Sequence, residues 1–304
     1  MVSKAPQLQA ASEWLDVRRA EANVSMPPSM RAEARATAKR IPRRSLVVLS
    51  KGRAERSHHE EHQLRLVDFD VLTFDMIGTL IDFETGVLQF ARPRILRVAP
   101  SATDTEILEC YARAQSTVRA SEPTLLFSAR LPKIWAEMAR SYAVPVRPED
   151  GMIFIRSARE WPAFADSAEA LAELQKFFRF LVVVTNGDRV SARTMAVTLG
   201  SPFSEIITEE DMGFAKPDPR AFEYFVTHLD RQGVNRKRIL HVAQSQYHDI
   251  GAAHRAGLAT AWIFRRHSQP GYGGTQPPPE FTTPDFLATS LEDLVRQYRA
   301  ELLA

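Results

Sequence analysis

The sequence predicts an α/β protein built on a doubly wound parallel sheet, with a block of helices inserted after the first strand. Three observations carry this prediction. Short apolar runs of the kind buried on both faces recur at 71–74, 180–184, 239–243 and 260–264. Helical patterns alternate with them, and the runs end in polar residues or glycine, at the strand ends where open α/β sheets bind ligands. Between 83 and 159 helical periodicity continues without a convincing strand. That connection is long for a crossover, so it is expected to pack as a separate helical cap that closes over the strand ends.

The first strand is framed by FDVLTFDMIGTLIDFE, residues 69–84. Val71, Leu72 and Phe74 suit a central parallel strand, Asp75 ends it, and Gly78 supplies the permissive backbone of a tight turn. An aspartate here either caps the turn or carries chemistry. In the insert, Thr103 and Glu106 form a capping box that opens a helix running toward Val118. A second helix is expected from about 125 to 142, kinked or divided at Pro132. The α/β pattern resumes at DSAE, where Asp166 should cap a helix leading into the 180–184 strand. Thr185, Asn186 and Gly187 end that strand, and a helix over about 190–199 stops at Gly200. A short strand at Ile206 and Ile207 precedes the loop GFAKPDP with Lys216, then a helix over about 220–229. The 239–243 strand leads through QSQYHD to Asp249 and a helix ending near Gly257; 260–264 is the last core strand expected. Residues 269–284 read as a Gly- and Pro-rich loop, and Ser290 opens the terminal helix. The core is thus 67–82 with 160–304, the cap 83–159, and residues 1–66 an extension.

That extension is rich in Ala, Arg, Ser and Glu, and its only apolar run, 46–49, is too short for a signal peptide's core. It reads as disordered and dispensable for catalysis and fold. A transit peptide, a nucleic-acid arm, a mis-assigned leader and an edge strand at 46–49 stay open as alternatives, although interspersed acidic residues weaken the first two. The formal charge of +2 over 304 residues gives no electrostatic case for nucleic acid or membrane. No apolar run approaches the roughly 18–20 residues that span a bilayer. The single cysteine, Cys110, excludes an intramolecular disulfide framework and fits a reducing, cytoplasmic setting.

Four strand ends present, in chain order, Asp75 with Thr79, Thr185 with Asn186, Lys216, and Asp249. This order and context resemble the haloacid dehalogenase superfamily, over roughly residues 69–300. WPAFADSAEAL, TNGD, KPDP, ILHVAQSQYHDIGAA and GLATAWIFRR are similar to its type II 2-haloacid dehalogenase branch. The resemblance implies a Rossmann-like core, Asp75 as nucleophile, Thr79 and Thr185 as hydrogen-bond donors, Asn186 as a donor to departing halide, and no cofactor. Lys216 would hold the charges of Asp75 and Asp249; one such pair at about 4 Å is worth roughly 4 kcal/mol before desolvation.

Phosphatases of the superfamily carry a second Asp two residues after the nucleophile. Here that position is Ile77, which cannot transfer a proton, whereas halide leaves unaided as a stable anion. Hydrolytic dehalogenation of a short 2-haloacid is therefore expected, through an aspartyl ester. The alternatives are a Mg²⁺-dependent phosphatase and a non-catalytic binding module. The chain departs from the branch in several places. Ile77 replaces a Tyr, Phe222 an aromatic position with no hydroxyl here, and Gln244 and Gln246 replace a Ser and an Asn, with Gln246 still expected to position water. The cap arginine that holds halide or carboxylate is matched by Arg113, one residue out of register, which leaves Arg92 and Arg94 as further candidates. His241, His248 and His254 raise a metal reading, but strand and helix alternation should scatter them; His58, His59 and His62 read as a solvated patch. The expected partner is a small-molecule substrate, with homodimerisation left open.

Overall fold

The computed structural model describes residues 64–304. The extension up to residue 63, with its 46–49 run and His58, His59 and His62, lies outside the described residues. Leu66, assigned above to the extension, is buried in a short 3₁₀ turn, so the folded part begins a few residues earlier than expected.

Six parallel strands form one sheet in the order β3-β2-β1-β4-β5-β6. They are β1 (Val71–Phe74), β2 (Phe180–Thr185), β3 (Glu205–Thr208), β4 (Ile239–Ala243), β5 (Ala259–Ile263) and β6 (Phe286–Ala288). Alternate residues feed two apolar layers. Leu72, Phe74, Leu181, Val183, Leu240 and Val242 face one side, while Val71, Val182, Val184, Ile207 and Ile239 face the other. Coverage on both faces explains why the strands read as continuous apolar runs. The strand order reverses between β1 and β4, which is the crevice where sheets of this kind bind ligands.

β6 is a correction, because the sequence suggested no strand after 264. Three residues following a Gly- and Pro-rich loop carry too little pattern to read, yet Phe286–Ala288 pairs with β5 and is buried.

The first four helices after β1 form the insert: α1 (Phe83–Ile95), α2 (Asp104–Ser121), α3 (Phe127–Ser141) and α4 (Asp150–Ala158). Thr103 and Glu106 form the expected capping box of α2. Pro132 does not divide α3, which runs unbroken past it; its ring packs so closely on Gly151 that a Cβ there would stand 2.8 Å away. Around the core lie α5 (Ser167–Leu174), α6 (Arg189–Thr198), α7 (Glu209–Met212), α8 (Pro219–Arg231), α9 (Gly251–Arg255) and α10 (Leu291–Leu302).

Two aspartates bond the N-termini of helices distant in sequence. Asp166 makes no side-chain cap to its own helix α5. Its carboxylate takes Arg265 through Nη1, 2.8 Å to each oxygen, and accepts from the Leu291 backbone N–H at 2.6 Å, capping α10. Asp188 caps α6 through Ser191 N–H at 2.8 Å and also accepts from Ser128 N–H at 2.9 Å. Helix α3 has no local cap, so a carboxylate from the loop after β2 satisfies one of its first N–H groups and fixes the inserted helices to the strand ends. Among the described residues no helix is long and apolar enough to cross a membrane.

Candidate active site

Asp75 follows β1 directly, its N–H bonded to Val242 O at 3.1 Å, and the chain then turns at Gly78 with φ +102°. A Cβ at that left-handed position would be strained and would also press within 3.2 Å of the Phe83 ring. The turn returns Thr79 to Asp75: its hydroxyl donates to Oδ2 at 2.8 Å and accepts from Gln244 N–H at 2.9 Å. Lys216 crosses beneath the strand ends and is 1% exposed. Its Nζ donates to Asp75 Oδ1 at 3.1 Å, to Asp249 Oδ1 at 2.5 Å and to Val184 O at 2.6 Å, which uses all three protons.

Asn186 does not point at a free anion. Its amide donates to Lys216 O and accepts from Lys216 N–H, each at 2.8 Å, so it clamps the lysine's backbone. Thr185 Oγ1 accepts from Gly187 N–H at 3.0 Å while the residue lines the cavity. Gln246 is likewise diverted: its Oε1 accepts from Thr282 N–H at 3.2 Å and the side chain is absent from the cavity wall.

The cavity over Asp75 has a volume of about 60 Å³. Asp75, Ile77, Thr185, Asn186, Ser245, His248 and Asp249 line its floor, and Phe83, Tyr111, Gln115, Arg119, Phe127 and Arg130 come from the inserted helices. Gly274 and Thr275 close one side. The loop bearing them is tied to α1 by Gly274 N–H donating to Glu84 at 2.8 Å and by the Arg266–Glu84 ion pair.

Burial pushes the Asp75 carboxyl up to about 6; Lys216 pulls against this, and neighbouring Asp249 adds to it. Burial also works against ionisation of Asp249, but Lys216 and the His241 hydrogen bond outweigh it and bring that group down to about 2. Lys216 is held above its ordinary value because Asp249 and Asp75 together overcome the penalty of burial. His248, half-buried on the floor, is pushed down to about 4 by burial and is neutral at pH 7.

The three candidate arginines lie away from the cavity. Arg113 is exposed and lines a separate groove with Glu106, Cys110 and Tyr142. Arg92 pairs with Asp104, and Arg94 with Asp150. The cavity receives Arg119 and Arg130 instead. Tyr111, Gln115 and Arg119 are spaced i, i+4, i+8 on α2 and share a face that Arg113, two residues from Tyr111, cannot reach. Arg130 is 1% exposed and grips Glu209 with two bonds of 3.1 and 2.9 Å, while donating to Asn186 O at 3.3 Å. Arg119 Nη2 stands 3.6 Å from the same glutamate. The available signal was an arginine on an apolar helix face, with Phe127, Leu131 and Ile134 as its neighbours.

The histidines are not all scattered as expected. His241 and His248 both arrive beside Asp249, one bonded to it and the other lining the cavity next to it. Among the described residues no group of three or more His, Cys, Asp or Glu side chains is placed to hold a metal ion. The carboxylates that line the cavity are Asp75 and Asp249, and these are the side chains that would hold a Mg²⁺ there.

The sequence model of the haloacid dehalogenase-like hydrolases matches residues 69–257, spanning the strand ends just described. The chain belongs to this family. Within these hydrolases it is 26% identical over 206 residues to (S)-2-haloacid dehalogenase 4A of Burkholderia cepacia, covering 66% of this chain and 84% of that one. It is 25% identical over 143 residues to a phosphoserine phosphatase of Thermus thermophilus, of which it covers 53%. Among solved structures, a defluorinating L-2-haloacid dehalogenase superposes with a TM-score of 0.60 at 21% identity, covering 76% of this chain and 95% of that one. The L-2-haloacid dehalogenase of Xanthobacter autotrophicus gives 0.59 at 19% identity, with 76% and 98% covered. At these identities the superpositions establish the fold: a Rossmann-like parallel sheet shared with dehalogenases of the family.

Proposed function

We propose that this hydrolase cleaves the carbon–halogen bond of a short 2-haloacid, with Asp75 as nucleophile. The observation that carries the reading is the distribution of charge across a small cavity. The floor sets one ammonium, Lys216, against two carboxylates, Asp75 and Asp249. The roof sets two guanidiniums, Arg119 and Arg130, against one carboxylate, Glu209. A nucleophilic anion thus faces a cationic wall, with the apolar Ile77, Phe83 and Phe127 between them. A substrate of matching form has a carboxylate at one end, an electrophilic carbon at the other and few atoms in all.

In the first step an Asp75 oxygen attacks the α-carbon; the new C–O bond forms as the C–halogen bond breaks, and halide departs with the bonding pair. Arg119 takes the substrate carboxylate, and Arg130 adds positive potential beside it. In the second step Asp249 accepts a proton from water, whose oxygen adds to the ester carbonyl. The alkoxide leaves with that proton as a 2-hydroxy acid, and the regenerated Asp75 acid releases the other to solvent. Ile77 offers no proton at the position that matters for a phosphate ester, and His248, neutral with its acidity pushed to about 4, supplies none at pH 7.

The test is halide release from 2-chloropropionate and chloroacetate, with Asp75→Asn as control and p-nitrophenyl phosphate assayed in parallel with and without Mg²⁺. Halide above the control, insensitive to chelator, supports the reading. Phosphate release that vanishes with chelator would replace it with the phosphatase alternative. No turnover of either class, with ligand still bound, would favour a binding module.

A further inference from the structure

Asp249 is held by two donors that do different work. Lys216 and His241 Nε2 both lie against Oδ1, the imidazole at 3.1 Å, while Oδ2 has no hydrogen-bond partner among the described residues. His241 sits in the middle of β4 and is fully buried, an unusual place for an imidazole in a strand otherwise made of Ile, Leu, Val and Ala. Its ring packs against Phe222 and Phe225 of α8, with centroids 5.8 and 6.0 Å away. A polar ring in such surroundings is unfavourable unless both nitrogens are bonded.

Both are bonded, and the bonding fixes the tautomer. An ionised Asp249 can only accept, so Nε2 carries the proton. Nδ1 is then the acceptor, and the hydroxyl of Thr73, 2.9 Å away, is its donor. Thr73 lies directly opposite His241 in the β1–β4 register and is also fully buried. Burial keeps the imidazole's pKa below its ordinary value, so at neutral pH it brings direction and no charge.

We infer that Thr73 and His241 form a positioning relay that pins Asp249 through Oδ1 and leaves Oδ2 as the acceptor for the hydrolytic water. The inference rests on the two-step reading above and assigns the relay to its second step alone. Lys216 touches both carboxylates and so serves both half-reactions; His241 touches only Asp249. Losing His241 therefore leaves the attack of Asp75 on carbon intact and slows hydrolysis of the ester.

The experiment is single-turnover and steady-state kinetics of the full chain with 2-chloropropionate, following halide release by rapid quench and the Asp75 ester by intact-protein mass. In His241→Leu the first equivalent of halide should appear at the wild-type rate while steady-state turnover falls ~10-fold or more, as expected when general-base placement is lost. The ester-bearing mass should accumulate with it. His241→Gln, whose amide N–H can replace Nε2–H, should recover much of the second rate. Thr73→Val, of nearly the same shape, should show the same split with a smaller loss, and it carries the test if the leucine variant does not fold. Equal slowing of both steps, no advantage of Gln over Leu, or an unchanged ester lifetime in Thr73→Val would overturn the relay. A wild type giving neither halide nor adduct would instead overturn the dehalogenation reading and take this inference with it.

Discussion

The floor and the roof of the cavity differ in how they are held. On the floor, every donor of Lys216 is engaged, Asp75 is fixed by Thr79, and the groups issue from neighbouring strands whose register allows little movement. The roof consists of side chains on three helices, held by the Arg130–Glu209 pair and by the Asp188 cap on α3. Arg119 remains a quarter exposed and only loosely paired. On the reading proposed above, the floor carries the chemistry and the roof selects the anion. Substitutions on the two sides should therefore separate rate and stability from affinity.

The largest effect expected is on the floor. Asp75→Asn should lower halide release by at least ~10³-fold, the order of loss when a covalent nucleophile is removed. Lys216→Met should also destabilise the fold, by about 3–5 kcal/mol in denaturant melts, because it strands two buried carboxylates. Arg130→Leu should cost a similar ~3–5 kcal/mol by stranding Glu209, and adding Glu209→Leu should recover most of it. If Arg130→Leu alone is nearly neutral in stability, the roof is not locked and the contrast drawn here fails.

Arg119→Ala sharpens the comparison. With its pairing loose, stability should change by less than ~1 kcal/mol. A charge-assisted hydrogen bond to a substrate carboxylate is worth about 1.5–3 kcal/mol, so KM should rise ~10-fold or more with a smaller change in kcat. A fall in kcat with constant KM would place the substrate carboxylate elsewhere.

The pH dependence follows from Asp75. Its carboxyl is raised to about 6, the nucleophile must be ionised, and kcat/KM should therefore fall as pH drops through about 6. Because Asp249 contributes to that elevation, Asp249→Asn should shift the limb of the ester-forming step to lower pH. For stability the signs oppose. Asp75 binds its proton more tightly in the native state, so its contribution improves as pH falls from about 6 toward the unfolded carboxylate range near 4. Asp249, lowered to about 2, stabilises above the unfolded value, and that contribution is lost as pH falls from ~4 through 2. A kcat/KM profile flat from pH 5 to 8 would contradict the assignment of Asp75.

The floor was largely legible because each strand end is announced locally, by an apolar run that stops at a polar residue, and parallel pairing brings such ends together. Asp75, Thr79, Lys216 and Asp249 converge for that reason. Local pattern does not reveal which partner a polar group takes. Asn186 was read as facing an anion and instead holds the Lys216 backbone; Gln246 was read as placing water and instead holds Thr282. Asp166 shows the same limit, since the carboxylate expected to cap the helix that follows it bonds the first N–H of the terminal helix instead. The roof was read least well, because on a helix the periodicity gives a face only to within the register chosen. Arg130 hides among apolar neighbours as an ordinary helix-forming residue, and only the buried Glu209, 79 residues away, explains it.

The smallest effect expected is also the most direct check of that register. Arg113 was the arginine suggested by resemblance, and on α2 it projects outward beside Glu106, Cys110 and Tyr142. A residue shift of one turns a helix face by about 100°, so no local adjustment of α2 brings its guanidinium into the cavity while Tyr111 stays there. Arg113→Ala should leave KM and kcat unchanged and move stability by no more than ~0.5 kcal/mol, as for an exposed residue away from special features. Arg119→Ala, measured beside it, should raise KM alone. If the two results were exchanged, with KM sensitive to Arg113 and indifferent to Arg119, helix α2 would be turned in the working enzyme and the cationic roof would have to be rebuilt around the other face.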